Sequence, residues 1–327
     1  MKKAIASLVA LVLIFVMFAA ASDAASDLKT VKVVIPRGST FVLSYFGGRD
    51  AGIFRKHGIN IEVDARPFAG FMAGLPSRQV QVGTYAGLNG IEQMNQGNDM
   101  VIIGGGLTNM QDVWVRKDSP IKQMTDLKGK KFGIWSRGAG AAKSLQVLLM
   151  DAFKLDLDKD TQIIEVAAPA LMALLDKGEV DAMFNLSSLS IAAASQPDKY
   201  RMLFSPDDYW KEKTGEPLVW SAPTIAWRNW VDEDRQRAKS VVAALHESFQ
   251  WLRQNSDKTI EKYGKLAGVQ NTAEAATLKK MLQEGRIFLE RWDAKVVDAQ
   301  WKFLELAKEA GIIKAVPAKD KYALVLR

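Results

Sequence analysis

The sequence predicts an α/β protein built from two similar units with largely parallel strands. Strands alternate with helical stretches up to Trp227, which is the order of consecutive βαβ units. Short blocks also recur at an offset of one hundred residues, since 31–38 resembles 131–138, 71–75 resembles 171–175 and 79–82 resembles 179–182. A chain of 327 residues is long enough for two domains of about 150 residues each.

The elements follow in order along both copies. Each copy begins with an apolar strand that ends in Arg-Gly, and the second strands, 59–63 and 161–166, are rich in β-branched residues. After Trp227 the pattern contains helices only, at 238–252, 272–288 and 292–310. We expect this helical tail to cover the sheet of one unit.

The first twenty-five residues are typical of a secretory signal peptide. Met1-Lys2-Lys3 is followed by the uncharged stretch 4–21, which ends in small residues suited to cleavage near 19–24. The alternative is a single membrane anchor, because the stretch has the minimum length of a spanning helix. The chain contains no cysteine that could carry a lipid, so we expect an exported, periplasmic protein that is not a lipoprotein.

Composition excludes several kinds of chemistry. The absence of cysteine rules out disulfides, cysteine-ligated metals and cysteine nucleophiles, and the only histidines are His57 and His246. We therefore expect no catalytic residues, no metal and no cofactor, although an enzyme that uses carboxylates alone stays possible. The net charge of +7 is spread along the chain rather than concentrated on one segment, which argues against nucleic acid as a partner.

Three segments resemble a known family. Residues 115–122 with 125–134, residues 50–59 and residues 173–182 resemble the ABC-transporter periplasmic substrate-binding proteins of the nitrate/sulfonate/taurine type, which include aliphatic-sulfonate-binding and thiamine-pyrimidine-binding-like members. The resemblance covers nearly the whole chain and is strongest between residues 45 and 190. One departure is Gln81, at a position where the group usually has aspartate.

The resemblance implies a type II periplasmic-binding-protein fold, in which two α/β lobes joined by two crossover strands close over a ligand. Lobe one would comprise 28–115 plus 224–327, and lobe two 116–223. The implied partners are a small-molecule ligand and the permease and ATPase subunits of an importer, and the protein itself would be a monomer.

The ligand should lie where strands end and helices begin. In open α/β sheets this edge forms the binding crevice, and helix N-termini there favour anions. The best candidate is the stretch 136–141, where glycines allow close approach and Arg137 could bind a planar oxyanion; its counterpart is 37–41. The alternative for both stretches is a plain turn with a solvated arginine, and this alternative is stronger for 37–41. The predicted ligand-binding residues are Arg37, Gly38, Ser39, Thr40, Phe41, Thr84, Tyr85, Gly106, Ser136, Arg137, Gly138, Ala139, Asn185, Trp220 and Thr224.

These residues favour a small organic anion, a sulfonate or a carboxylate, as the ligand. Aromatic side chains near the strand ends, Trp135 among them, could pack on a ring or a hydrocarbon body, although an aromatic side chain at a strand end more often belongs to the core or to packing between the lobes. A neutral pyrimidine or another heterocyclic vitamin precursor is the alternative ligand. A ligand-sensing partner of a membrane receptor is the alternative from another functional class.

Overall fold

A computed structural model of the protein describes residues 28–326. The predicted signal peptide, 1–25, lies outside the described residues. Within 28–326, no helix has both the length and the apolar character needed to cross a membrane.

Ten strands and fifteen α-helices make up the described chain. The strands are β1 (Lys29–Pro36), β2 (Ile59–Arg66), β3 (Val82–Thr84), β4 (Met100–Leu107), β5 (Val113–Arg116), β6 (Lys131–Ile134), β7 (Gln162–Glu165), β8 (Ala182–Phe184), β9 (Tyr200–Phe204) and β10 (Ala222–Trp227). The helices before β10 are α1 (Phe41–Asp50), α2 (Ile53–Lys56), α3 (Phe68–Gly74), α4 (Gly87–Asn95), α5 (Gly140–Phe153), α6 (Leu157–Asp160), α7 (Ala168–Asp176), α8 (Ser187–Ala194) and α9 (Pro206–Thr214). The remaining helices are α10 (Arg228–Glu233), α11 (Arg235–Gln254), α12 (Ser256–Tyr263), α13 (Thr272–Gln283), α14 (Ala294–Glu309) and α15 (Lys319–Tyr322).

The strands form two units of the same topology. In the second unit the strand order is β7-β6-β8-β5-β9, with β6 parallel to β7 and β8 and with β5 antiparallel. In the first unit β2 pairs with β1, β3-β10-β4 form a second ladder, and β1 packs beside β3. The order in the first unit is therefore β2-β1-β3-β10-β4, which corresponds strand by strand to β7-β6-β8-β5-β9 in the second. The offset of one hundred residues is also kept, because β3 and β8 begin at 82 and 182, and α4 and α8 at 87 and 187.

The chain crosses between the units at 108–112 and 205–221. All of β5 belongs to the sheet of the second unit, and β10 belongs to the first from Ala222 onward. The predicted boundaries at 115/116 and 223/224 therefore fall inside these two strands. We keep the division into two lobes as a proposal and place its boundaries in the two crossing segments.

The C-terminal helices contact both units. Helix α11 packs on α1 of the first unit, whereas α14 contacts α5 and α13 contacts α8, both in the second unit. The last described residues run along β4, where the Leu324 N–H donates to the Ile102 carbonyl at 2.9 Å. This contact covers an open sheet edge. The sequence predicted that the tail covers the sheet of one unit, whereas in the structure it contacts both units.

Glycine packing determines how closely β10 approaches β4. Gly104, Gly105 and Gly106 lie inside the buried strand β4 and not in a turn. A Cβ on Gly106 would overlap the carbonyl oxygen of Ala222, and one on Gly105 would lie 2.5 Å from the carbonyl oxygen of Leu289. Gly106 is therefore buried strand backbone, and it is absent from the lining of the cavity described below.

We expect the substitution Gly106→Ala to lower the free energy of unfolding by about 2 kcal/mol or more, because backbone must move to admit the methyl group. Urea unfolding followed by circular dichroism measures this change. Gly70→Ala is the matched control, since its Cβ would meet only the Arg66 side chain at ordinary contact distance. Equal stabilities of the two variants would contradict the packing argument.

Candidate functional site

A cavity of about 90 Å³ lies between the two units. It is bounded by residues that follow strands or begin helices in both units and by residues of both crossing segments. The lining consists of Pro36, Arg37, Gly38, Ser39, Phe41, Phe68, Phe71, Ala86, Leu107, Gln111, Trp135, Ala139, Gly140, Ala141, Leu186, Ser187, Ser221 and Ala222.

Four helices begin at this cavity. Helices α1 and α4 belong to the first unit, and α5 and α8 to the second. Their N-cap residues are Thr40, Ala86, Ala139 and Leu186, and none of these four residues provides a side-chain hydrogen bond to cap its helix. The first N–H groups of a helix have no partner within it, so these four N-termini bring backbone donors to the cavity. Some are already used, since the Gly87 N–H of α4 donates to the Trp220 carbonyl at 3.1 Å and the Val42 N–H of α1 to the Ser39 carbonyl at 3.1 Å.

Local hydrogen bonds hold the turns that lead into these helices. After β1, Gly38 has a φ of 76° and Ser39 donates to the Pro36 carbonyl at 2.8 Å. After β8, the Asn185 amide donates to the Ala168 carbonyl at 3.0 Å and accepts from the Leu186 N–H at 2.9 Å. Asn185 therefore shapes the entry to α8 from a fully buried position.

The electrostatic character of the cavity comes mainly from backbone. Among the described lining residues there is no aspartate, glutamate, lysine or histidine, and Arg37 carries the only formal charge. Arg37 is exposed, and its guanidinium donates to the Ala65 carbonyl at 3.2 Å. Each helix N-terminus contributes roughly half an elementary positive charge, so the surroundings favour an anion.

Aromatic side chains form much of the wall. Phe68 from α3 meets Trp135 at the end of β6 edge to face, with ring centroids 5.1 Å apart. Since these two residues belong to different units, the contact spans the gap between the units. Phe41 and Phe71 complete an apolar surface suited to a ring or a hydrocarbon chain.

Polar contacts also join the units beside the cavity. Lys143 of α5 forms a salt bridge with Glu92 of α4, and the Asn89 amide donates to the Gly138 carbonyl at 3.5 Å. The two units are therefore in direct contact beside the cavity.

Five of the predicted site residues line the cavity, namely Arg37, Gly38, Ser39, Phe41 and Ala139. The others lie outside the lining. Thr84 and Thr224 donate to the carbonyls of Ala222 and Gly105 and so hold β10 in place. Trp220 packs against Trp301 and Phe303 in the core.

Tyr85 lies behind the wall, next to Phe71, and burial raises its pKa to about 12. Thr40 is buried, and its hydroxyl has no hydrogen-bond partner within the described residues. Gly106, Ser136, Gly138 and Asn185 are likewise absent from the lining.

Arg137 is directed away from the cavity. Its guanidinium forms a salt bridge with Asp158 at the start of α6, where both side chains are about half exposed, and its backbone N–H donates to Glu165 at 3.2 Å. The sequence suggested a free guanidinium at this strand end. The short helix α6 instead provides a carboxylate that pairs with it.

Sequence reasoning missed several residues of the lining. Phe68 and Phe71 follow the second strand at helical spacing, which resembles an ordinary core pattern. Gln111 and Ser221 lie in the crossing segments, just outside the strands that carried the prediction. The available signal was their position in segments that join a strand of one unit to a strand of the other.

Comparison with known proteins identifies the family. The family model described as NMT1/THI5 like matches residues 41–259, more than half of the chain. The chain belongs to the NMT1/THI5-like family. No match was found among curated protein sequences.

Solved structures share the fold of this NMT1/THI5-like protein. The periplasmic aliphatic sulphonate-binding protein SsuA from Escherichia coli is 20% identical, with a TM-score of 0.70 over 91% of this chain and 92% of the other. The alkanesulfonate-binding protein SsuA from Xanthomonas axonopodis pv. citri bound to MOPS is 14% identical, with a TM-score of 0.66 over 90% and 98%. These likenesses confirm the α/β, type II periplasmic-binding fold and the resemblance to sulfonate-type binding proteins.

The same fold also occurs in an enzyme. The desulfurization enzyme DszB is 14% identical, with a TM-score of 0.61 over 91% of this chain and 96% of the other. The fold alone therefore does not separate binding from catalysis in this NMT1/THI5-like protein. Within residues 28–326, no three histidine, aspartate or glutamate side chains are grouped so that they could hold a metal ion.

If the NMT1/THI5-like protein binds an anion in this cavity, we expect Arg137→Ala to retain the affinity to within about threefold, because the guanidinium pairs with Asp158 outside the cavity. Isothermal titration with a sulfonate bound by the wild type tests this. A loss of tenfold or more would show that Arg137 swings into the cavity on binding.

A buried aspartate lies in the first crossing segment. Asp112 is 4% exposed, and its Oδ1 has no hydrogen-bond partner within the described chain. Burial is the main cause that raises its pKa to about 7; Arg286 and Ser205 oppose this rise, and Asp208 and Asp207 at the start of α9 add to it. Asp112 is thus protonated in the folded state at pH values where it is ionised in the unfolded chain.

Stability of the NMT1/THI5-like protein should therefore fall as pH rises. Below about pH 4 Asp112 is protonated in both states, and its favourable contribution is lost as pH passes through about 7. In the wild type, the free energy of unfolding should decrease by up to about 4 kcal/mol between pH 4 and 8. We expect Asp112→Asn to remove this decrease, and urea unfolding measures it. Asp198→Asn, at an exposed aspartate, is the control. An unchanged slope in the Asp112 variant would refute the assignment.

Proposed function

We propose that the protein is the solute-binding component of an ABC importer and captures a small organic anion, a sulfonate or a carboxylate, between its two lobes. One observation carries this proposal. Four helices without side-chain caps, two from each unit, begin at a cavity whose described lining contains no acidic side chain.

The physical basis is the chemistry of helix N-termini. Their free N–H groups donate directly to oxygen atoms of an anion, and the aligned peptide dipoles add a positive potential. In a cavity with apolar walls these interactions are screened less than at a surface. An anionic head group could thus be held without a buried lysine or arginine beside it.

The body of the ligand would lie against the aromatic wall. Phe41, Phe68, Phe71 and Trp135 offer apolar faces of a size that suits a short chain or a single ring. The names of the SsuA proteins, which bind aliphatic sulfonates or alkanesulfonates, support a sulfonate as the head group. Of the residues predicted from sequence, we retain Arg37, Gly38, Ser39, Phe41 and Ala139 as ligand contacts.

Capture by both lobes would also account for how the ligand is delivered to the importer subunits. Only the closed arrangement brings the helices of both units to the same ligand, so binding shifts an equilibrium between open and closed states. In our proposal a periplasmic monomer, exported through residues 1–25, presents the closed state to the permease and ATPase subunits. The described lining has no histidine or carboxylate that could act as a general acid or base, which supports binding rather than catalysis.

A neutral pyrimidine-like compound is the second candidate. The four aromatic side chains of the lining favour it, and the pairing of Arg137 with Asp158 removes one argument for an anion. A flat heterocycle would stack on these rings and use the helix N–H groups as donors to its carbonyl oxygens.

Ligand class can be tested by thermal shift on the chain from residue 26 onward. We expect sulfonates or carboxylates such as butanesulfonate, benzenesulfonate and benzoate to raise the melting temperature, because a ligand that binds only the folded state stabilises it. Neutral matched compounds, benzenesulfonamide and benzamide, serve as controls. Stabilisation by pyrimidines with none by anions would replace the main proposal with the second.

A variant pair tests the helix N-termini themselves. Ala141 lines the cavity at the second position of α5, so in Ala141→Glu a carboxylate would occupy the anion position. Glutamate is favourable near a helix N-terminus, which protects folding. We expect Ala141→Glu to lose at least tenfold more affinity for the anion than Ala141→Gln, which has the same size without charge. Equal losses would argue against an anionic ligand.

Transport requires a cellular test. Deletion of the gene should abolish uptake of the stabilising compound, and a copy with Ala141→Glu should fail to restore it. Uptake that persists while the cells lose their response to the compound would favour the ligand-sensing partner of a membrane receptor.

A further inference from the structure

Two polar side chains at the cavity come from the crossing segments. Gln111 lies in the crossing 108–112 and Ser221 at the end of the crossing 205–221. Both line the cavity and both are largely buried, with exposed fractions of 5% and 9%. The ligand position is therefore bounded by side chains on the segments that join the lobes.

These two side chains form a hydrogen bond in which serine is the donor and glutamine the acceptor. The Ser221 hydroxyl donates to Oε1 of Gln111 at 3.1 Å. This contact uses the carbonyl end of the amide and leaves Nε2, a donor of two hydrogens, without a protein partner within residues 28–326. Ser39, by comparison, already donates its hydroxyl hydrogen to the Pro36 carbonyl.

Buried contacts fix the position of the pair. The Ser221 N–H donates to Oδ1 of Asn109 at 2.7 Å, and the Asn109 N–H donates to the Leu218 carbonyl at 2.8 Å. Gln300 of α14 accepts from the Val219 N–H at 3.1 Å and donates to the Pro217 carbonyl at 2.8 Å. The two crossing segments thus form one hydrogen-bonded unit.

We propose that Gln111 is the side chain that recognises the ligand's head group, donating from Nε2 to one of its oxygen atoms, and that Ser221 is the positioning residue that orients the amide. This inference rests on the proposed function, because it assigns a residue to the same cavity. A ligand held here contacts both lobes and the segment that connects them. Ligands without a hydrogen-bond acceptor at this end are discriminated against, because the amide donor would stay unpaired.

The test is isothermal titration of the intact mature protein with butanesulfonate, benzenesulfonate and benzoate. Gln111→Leu should weaken binding of the tightest of these probes by about tenfold to a hundredfold, the effect of one hydrogen bond to a charged group. Gln111→Glu should weaken it further, because it adds a carboxylate, and lowering the pH should relieve that loss. Gln283→Leu, at an exposed position on α13, is the matched control.

The positioning role has its own measurement. Ser221→Ala should cost less affinity than Gln111→Leu, and Ser221→Thr, which keeps the hydroxyl, should restore it. Melting temperatures of the free variants show whether each one folds. Wild-type affinity in folded Gln111→Leu, or a Gln111→Glu loss that is independent of pH, would overturn the inference while leaving the proposed function intact. If the wild type binds none of the three probes, the anion proposal fails and this inference with it.

Discussion

The hydrogen-bonded crossing segments are the constraint on which the site depends. Asn109 and Gln300 are almost fully buried, and together they tie 108–112 to 217–221 and both to helix α14. Leaving such buried groups unpaired costs about 1–3 kcal/mol each, so this arrangement is strongly preferred. The crossing segments lead into β5 in the second unit and into β10 in the first. Their hydrogen bonds therefore also determine which edges of the two units face each other.

The facing edges determine the chemistry of the cavity. In both units, helices that follow strands begin at the same edge, so α1, α4, α5 and α8 all direct their N-termini inward. The positive potential is therefore a property of the topology and needs no buried lysine or arginine. Side chains then add shape, through Phe68 and Trp135, and hydrogen bonding, through Gln111. This division is compatible with the occurrence of the same fold in the SsuA proteins and in DszB, whose sequences differ widely from this one.

The sequence predicted the fold better than it predicted the side chains. The alternation of strands and helices identified the elements of both units, because it depends on local sequence patterns. The offset of one hundred residues then showed that the two sets of elements correspond. The helix N-termini at 37–41 and 136–141 were found for the same reason. The direction of Arg137 was not predictable, since its long side chain pairs with Asp158 on a separate helix. Gln111 was missed because its proposed role depends on a hydrogen bond from Ser221, which lies 110 residues away in the chain.

A site built from helix N-termini also suits reversible capture. Each unit supplies two of the four termini, so separation of the units removes half of the donors and readmits water to the rest. A fixed buried arginine would hold the anion as an ion pair on one unit even after opening, and its release would be slower. In the proposed function, distributed donors make affinity depend on closure, because helices of both units meet the ligand only in the closed state. This dependence would suit the proposed importer component, which must both retain its ligand and release it to a membrane partner.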